Sequence, residues 1–290
     1  MLGSSIVKVV TEESEWDVVV ASRKFIADAE GYQRWNANGR SDWKELIVQE
    51  RWKPDVIINT AALTDVDKCE VEREEAWRSN VELVTLITEV ARKIDARVIQ
   101  ISTDYVFDGK EGPYTETDRP QPINYYGKTK LAAENICLSS GVDYTIVRTM
   151  WLYGESMAGK RTFVDWITEG VRRGDSLKIA GDEIGNPTLI DDIGYAILKV
   201  IERNIGGIIN ICGDERISRW EWAKNICSVF NKGSDKHLVE MRSTDLGRKA
   251  LRPLNSGLVM TKANTLLDFK PVSVMQGLEL VRIQKERIER

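Results

Sequence analysis

Short unbroken apolar runs alternate with longer stretches of helical periodicity through the first half of the chain. Residues 2–13 set Ile6, Val7, Val9 and Val10 on one face and predict a helix. The β-branched run Asp17-Val-Val-Val-Ala21 predicts a buried strand closed by Ser22-Arg23-Lys24. Ser41-Asp42 caps a predicted helix reaching about Trp52. Lys53-Pro54 ends it, because the residue before a proline disfavours the α conformation. Further strands are predicted at Asp55–Asn59, Arg97–Ile101 and Asp143–Val147. A long helix within 72–94, apolar at Val81, Val84, Leu86, Ile87 and Val90, and a helix over Tyr126–Leu138 come between them. Strands without polar alternation, separated by helices, imply a parallel sheet covered on both faces. The fold class is therefore α/β, a Rossmann-type doubly wound parallel sheet with a smaller C-terminal substrate lobe.

After residue 150 the alternation is less regular. Helices are predicted over Phe163–Arg173, Leu189–Glu202 (capped near Asp191) and Ser218–Phe230, with a strand at Gly207–Ile211. Ser218 and Glu221, three residues apart, form a capping-box pair. The final residues 282–290 read as a charged, solvated helix. The expected division is a dinucleotide-binding domain over 1–150, incomplete at its N-terminal end, and a mainly substrate-binding lobe over 151–290. Some segments of that lobe return to the first domain, and the lobe sits over the carboxyl ends of the strands, where ligands bind in such sheets.

Composition narrows the function classes. A net charge of −4 with mixed signs gives no reason to expect nucleic acid. No apolar run approaches the ~18 residues needed to cross a bilayer, and the N-terminus does not read as a secretory signal. Four scattered cysteines without a CxxC pair are expected to be reduced, buried thiols of a cytoplasmic protein. One histidine excludes a histidine metal cage and argues against a Ser-His-Asp triad.

Chemistry concentrates between Ile99 and Lys130. Thr103 stands at a strand end, and Tyr126 and Lys130 lie one helical turn apart on one face. A neighbouring ammonium is expected to lower the phenol's pKa from its ordinary value near ~10. Tyr126 can then give a proton to a carbonyl oxygen as a hydride arrives at the carbon. Asp104 follows Thr103 and reads equally as a hydrogen-bonding assistant or a turn residue. At the end of the second strand no acid is present to bond a ribose 2′-hydroxyl. Arg23, after Ser22, can instead pair with a 2′-phosphate, which favours NADPH and leaves NADH open.

The runs NTAALTDVDKCE (59–70), ISTDYVFDGKEGPYTETDRPQPINYYGKTKLAAE (101–134), RTMWLYG (148–154), GNPT (185–188) and RPLNSGL (252–258) occur in the same order as in a known family. The chain resembles the dTDP-4-dehydrorhamnose reductase branch of the extended short-chain dehydrogenase/reductases. The resemblance implies that Thr103, Tyr126 and Lys130 are catalytic, with Thr103 donating to the substrate carbonyl and Lys130 also bonding the nicotinamide ribose. It places Leu2, Gly3, Ser22, Arg23, Asn38, Ala61, Ala62 and Thr64 at the cofactor, beside Tyr126 and Lys130. Asn38 stands where relatives commonly carry an aspartate, and Asn80 reads as structural. Thr103, Asp104, Tyr105 and Trp151 would line a nucleotide-sugar pocket, the Trp151 indole stacking on the sugar. The implied activity is NADPH-dependent reduction of a 4-keto-6-deoxy sugar nucleotide in dTDP-rhamnose synthesis, by a homodimer. Some relatives use Mg²⁺, although no ligand cluster here compels a metal.

One departure qualifies the resemblance. The family begins with a strand and a TGAxGxLG turn, and Met1-Leu2-Gly3-Ser4 matches only the end of that turn. The glycines that admit a pyrophosphate are missing. Losing the central first strand is expected to leave two interior edges unpaired. An internal methionine of a longer product, or a degenerate relative, would each account for this. Two other readings stay open: a nucleotide-sugar epimerase or dehydratase of the same superfamily, and a non-catalytic subunit resembling the regulatory β subunit of methionine adenosyltransferase.

Overall fold

The computed structural model describes residues 1–22, 33–36, 53–155, 161–230 and 235–288. It opens with helix α1 (Leu2–Glu13), which buries Leu2, Ile6, Val9 and Val10. This stripe at i, i+4, i+7 and i+8 leaves Val7 at the rim rather than in the buried face expected of it. Strands β1 (Val19–Ser22) and β2 (Gln33–Asn36) form a two-stranded parallel ladder. The main sheet is built from β3 (Val56–Asn59), β4 (Arg97–Thr103), β5 (Tyr144–Thr149) and β6 (Gly207–Asn210), all parallel, in the order β6-β5-β4-β3. Among the described residues no ladder joins β1 to β3. The break falls where unpaired edges were expected.

Between β3 and β4 the helix expected within 72–94 forms as a continuous run over 73–94, broken in register by a π turn and preceded by a short helix. In order these are α2 (Val66–Val71), α3 (Arg73–Trp77), a π-helical turn over Arg78–Glu82, and α4 (Leu83–Ile94). The extra residue per turn at Arg78–Glu82 buries Ser79, Asn80 and Val81 together. Helix α5 (Tyr125–Ser139) connects β4 to β5. The C-terminal half adds α6 (Phe163–Arg173), α7 (Ile190–Glu202), α8 (Arg219–Phe230), α9 (Thr261–Leu267) and α10 (Val274–Ile288). In α8 the capping box is formed: Ser218 Oγ accepts from Glu221 N–H at 3.0 Å, and Ser218 N–H donates to the Glu221 carboxylate at 2.8 Å. In α7 no side chain caps the N-terminus, and Asp191 lies in the first turn instead, accepting from Ser5 Oγ at 2.7 Å. The charged residues 282–288 are helical and not buried, as expected, but the helix starts earlier, at Val274, and its first turns bury Val274, Leu278 and Val281.

Two apolar cores result. The first joins α1, the sheet and α7 through Leu2, Ile6, Val9, Ile99, Ile101, Val147, Ile193 and Ile197. The second, in the C-terminal half, centres on fully buried Trp222 with Ile167, Ile179, Ile226, Leu278 and Val281. Trp151 packs against both. All four cysteines are buried and unpaired. Among the described residues no helix is long and apolar enough to cross a membrane, and no group of side chains could hold a metal ion.

Candidate active site

The site begins where β4 ends. β4 is buried along its whole length between β3 and β5, so its last residue, Thr103, is delivered to the centre of the sheet's carboxyl edge. Thr103 then caps a 3-10 turn, Asp104–Val106, its Oγ1 accepting from Tyr105 N–H at 3.2 Å. Helix α5 lies directly against that turn. A Cβ on Gly127 would meet the Tyr105 carbonyl oxygen at 2.1 Å, so only glycine permits this approach. The helix start is fixed by Asn124, whose Oδ1 accepts from Gly127 N–H at 2.8 Å, and by Glu70, which accepts from Tyr125 N–H at 2.9 Å. Together these contacts seat Tyr126 beside the turn that Thr103 caps.

The electrostatics of this pair differ from expectation. The Tyr126 phenol is pushed up, not down, by burial and next by the Asp104 charge, with the Thr103 hydrogen bond opposing. Lys130 does not act on it. Its Nζ donates to the Ile101 carbonyl oxygen at 2.6 Å, under β4, and burial pulls the ammonium down to about 8 while the Glu134 charge works the other way. Glu134 in turn holds Arg148 through Nε at 3.0 Å and an N–H at 2.7 Å, and accepts from Ser102 Oγ. A buried ion pair thus underlies the helix that carries Tyr126 and Lys130.

Asp104 is 1 % exposed. Its Oδ1 accepts from Thr103 Oγ1 at 3.1 Å and its Oδ2 from Ser256 Oγ at 2.7 Å. Burial raises its carboxyl to about 6, with the Ser256 and Thr103 hydrogen bonds and the Arg219 charge opposing. The sequence's turn and hydrogen-bonding readings of Asp104 are both met. Tyr105 packs edge-on against Tyr126, ring centroids 5.7 Å apart, and its phenol is raised to about 12 by burial and by Asp104 and Glu183. Trp151 lies at the junction of the two cores with φ +45°. It stacks on Trp222 at 5.8 Å, and the Arg219 guanidinium sits over its ring at 3.8 Å. Trp151 is therefore a half-buried packing residue at this junction.

On the other side of β4, β3 ends in Asn59, whose Nδ2 donates to Gln100 Oε1 at 2.8 Å and whose Oδ1 accepts from Ala61 N–H at 3.1 Å. Asn80, projected from the π turn, grips Leu63 by both its N–H and C=O, and donates to Thr129 Oγ1 at 2.9 Å. This clasp ties the Ala61–Thr64 segment to α5, so Asn80 is structural. Gly3 comes close to the same strand end: a Cβ there would lie 2.8 Å from Thr60 Oγ1. Leu2 and Gly3 thus open α1 beside the residues that follow β3. Ser22 ends β1, whereas Arg23 and Asn38 lie outside the described residues. The structure gathers Thr103, Asp104, Tyr105 and Tyr126 at the carboxyl end of β4, with Lys130 Nζ turned to the Ile101 carbonyl and Trp151 at the junction of the two cores. Sequence reasoning missed Ser256, Asn124 and Arg219. Ser256 sits in the quoted RPLNSGL run but 152 residues from its partner, and nothing local marks that pairing.

Residues 1–285 match the RmlD substrate binding domain family. The chain is 32% identical to a dTDP-4-dehydrorhamnose reductase of Aggregatibacter actinomycetemcomitans over 84% of this chain and 86% of that one. It is 36% identical to a protein of the same name from Sinorhizobium fredii over 71% of this chain and 72% of that one. Among solved structures, the dTDP-4-dehydrorhamnose reductase of Bacillus anthracis in complex with NADP superposes with a TM-score of 0.81 at 28% identity, covering 98% of this chain and 95% of that one. The chain belongs to the RmlD substrate binding domain family.

Proposed function

We propose that this chain is an oxidoreductase that reduces the 4-keto group of a 4-keto-6-deoxy sugar nucleotide with NADPH, the dTDP-4-dehydrorhamnose reductase reaction that yields dTDP-rhamnose. The observation that carries the reading is Tyr126 set against the turn that Thr103 caps at the end of β4, one helical turn from Lys130. Its relatives' names and the NADP-bound neighbour support the same choice of substrate and cofactor. Residues 1–150 would serve the dinucleotide and 151–290 mainly the sugar nucleotide.

The residues present fit the nicotinamide end of the cofactor. Lys130 has three N–H donors and spends one on Ile101, leaving two for ribose hydroxyls. Ala61 is exposed and Ala62 half-buried past the end of β3, side chains too short to fill the space over the strand end. Leu2, Gly3, Ala61, Ala62 and Thr64 would hold the dinucleotide near the strand ends, with Ser22, Arg23 and Asn38 toward its adenosine. NADPH, when bound, supplies the hydride. Tyr126 supplies the proton from its Oη. Burial keeps that phenol protonated across the working pH range, and an alkoxide forming at C4 is a stronger base than a phenolate, so the transfer runs downhill. Trp151, Tyr105 and Asp104 would line the sugar's side of the cleft.

The test is NADPH oxidation with dTDP-4-keto-6-deoxy sugar by the natural chain and by Tyr126→Phe. Loss of the phenolic proton lowers kcat by about 10²–10⁴-fold and leaves NADPH affinity within about twofold. A variant that keeps the full rate overturns the assignment.

A further inference from the structure

A threonine hydroxyl has one hydrogen and two lone pairs. Two partners are bonded to Thr103 Oγ1: Tyr105 N–H at 3.2 Å and the Asp104 carboxyl at 3.1 Å. Tyr105 N–H can only donate, so it always fills one lone pair. When Asp104 is a carboxylate it can only accept. It then takes Thr103's single hydrogen, and Thr103 has none left for a substrate carbonyl. When Asp104 carries a proton on Oδ1, its O–H fills the second lone pair instead. Thr103's own hydrogen is then released for the substrate carbonyl.

Ser256 decides which oxygen carries the proton. Its Oγ donates to Asp104 Oδ2 at 2.7 Å, so a proton taken from water is left to Oδ1, the oxygen that faces Thr103. Ser256 is itself immobilised: its N–H donates to the Ile184 carbonyl at 3.1 Å, and its carbonyl accepts from Arg216 Nε at 2.7 Å. It is 1 % exposed, as is Asp104.

We propose that Asp104 and Ser256 are positioning residues for the reduction: protonation of Asp104 on the oxygen that Ser256 leaves free turns the Thr103 hydroxyl from Asp104 to the substrate carbonyl. The inference rests on the reductase reading above and deepens it. The charged and titratable groups facing Asp104 are Tyr105 on its own turn, Tyr126 on α5, Arg219 on α8 and Cys212 after β6. Of these, only Arg219 opposes protonation by its charge, and burial outweighs it, bringing the carboxyl to about 6.

The experiment measures kcat against pH between about pH 5 and pH 8 for the natural chain, Asp104→Asn, Ser256→Ala and Ser256→Thr, with the infrared band of a protonated carboxylic acid recorded over the same range. The natural chain loses kcat by about tenfold per pH unit above the midpoint, and the acid band disappears with the same midpoint. Asp104→Asn, whose amide donates to Thr103 at every pH, abolishes both the band and the pH dependence, its kcat varying less than about twofold. Ser256→Ala removes a hydrogen bond that favours the carboxylate, so both midpoints move to higher pH; Ser256→Thr restores them. An Asp104→Asn protein that keeps the natural pH profile, or an acid band that does not titrate, overturns the inference while the reductase reading stands. A titrating band lost in Asp104→Asn, with no NADPH oxidation by any of the four proteins, overturns the reductase reading and leaves the carboxyl assignment in place.

Discussion

Two carboxylates are buried within this sheet and its neighbouring helix to the same degree, Glu134 and Asp104, each about 1 % exposed. They solve the cost of burial in opposite ways. Glu134 meets a full counter-charge, held by Arg148 at two nitrogens and by Ser102. Asp104 meets only hydroxyls at hydrogen-bonding distance, from Thr103 and Ser256, and its carboxyl rises to about 6. A counter-charge fixes a protonation state, whereas neutral donors leave it adjustable. The first carboxylate braces the helix beneath the site, and the second can change state at the site itself.

The largest break in this contrast comes from Arg148→Met. It strands Glu134 without its cation and costs about 3–5 kcal/mol in denaturant unfolding; adding Glu134→Leu recovers most of the loss. Asp104→Asn acts in the opposite direction. The folded-state value of Asp104 lies above the ordinary carboxylate value near ~4, so the folded protein binds the extra proton and stability falls as pH rises from about 4 to about 6. At neutral pH the natural chain bears the whole cost, and Asp104→Asn is therefore more stable by about 2 kcal/mol, an advantage that vanishes below about pH 4. Melting temperatures at two pH values check this, and an advantage independent of pH refutes it. The smallest effect belongs to a buried neutral group. Asn124 caps α5 and donates to the Leu251 carbonyl at 2.8 Å. Asn124→Ala costs about 1–2 kcal/mol with no pH dependence, again by melting temperature.

The strands and helices that frame the site were legible because each is a run whose periodicity matches its burial. β4 is buried throughout, with Val98, Ile99 and Ile101 as its apolar run, and α5 follows an asparagine cap. The π turn at Arg78–Glu82 was not legible, since an inserted residue leaves the apolar spacing nearly intact. The buried start of α10 lies before residues 282–290, the stretch that its charge drew attention to. Tyr126, Lys130 and Thr103 were found because their spacing is local. The direction of Tyr126's shift was misjudged for the opposite reason. It is set by burial and next by the Asp104 charge, both supplied by the finished fold, while Lys130 Nζ is turned to the Ile101 carbonyl. Ser256 escaped because its partner is brought to it only by the finished fold.

That last contact has a bearing on how the molecule comes into being. β3, β4 and β5 pair between neighbours in the order in which they are made, so the main sheet can assemble from nearby segments. The Ser256–Asp104 hydrogen bond must wait for a loop of 152 residues to close. On a ribosome, residue 104 emerges and finds its strand long before residue 256 exists. The emerging chain can therefore own a sheet, a capped helix and a well-placed tyrosine while its pivotal carboxyl is still held on one side only, and the competence of the site becomes a late event, timed by the end of translation.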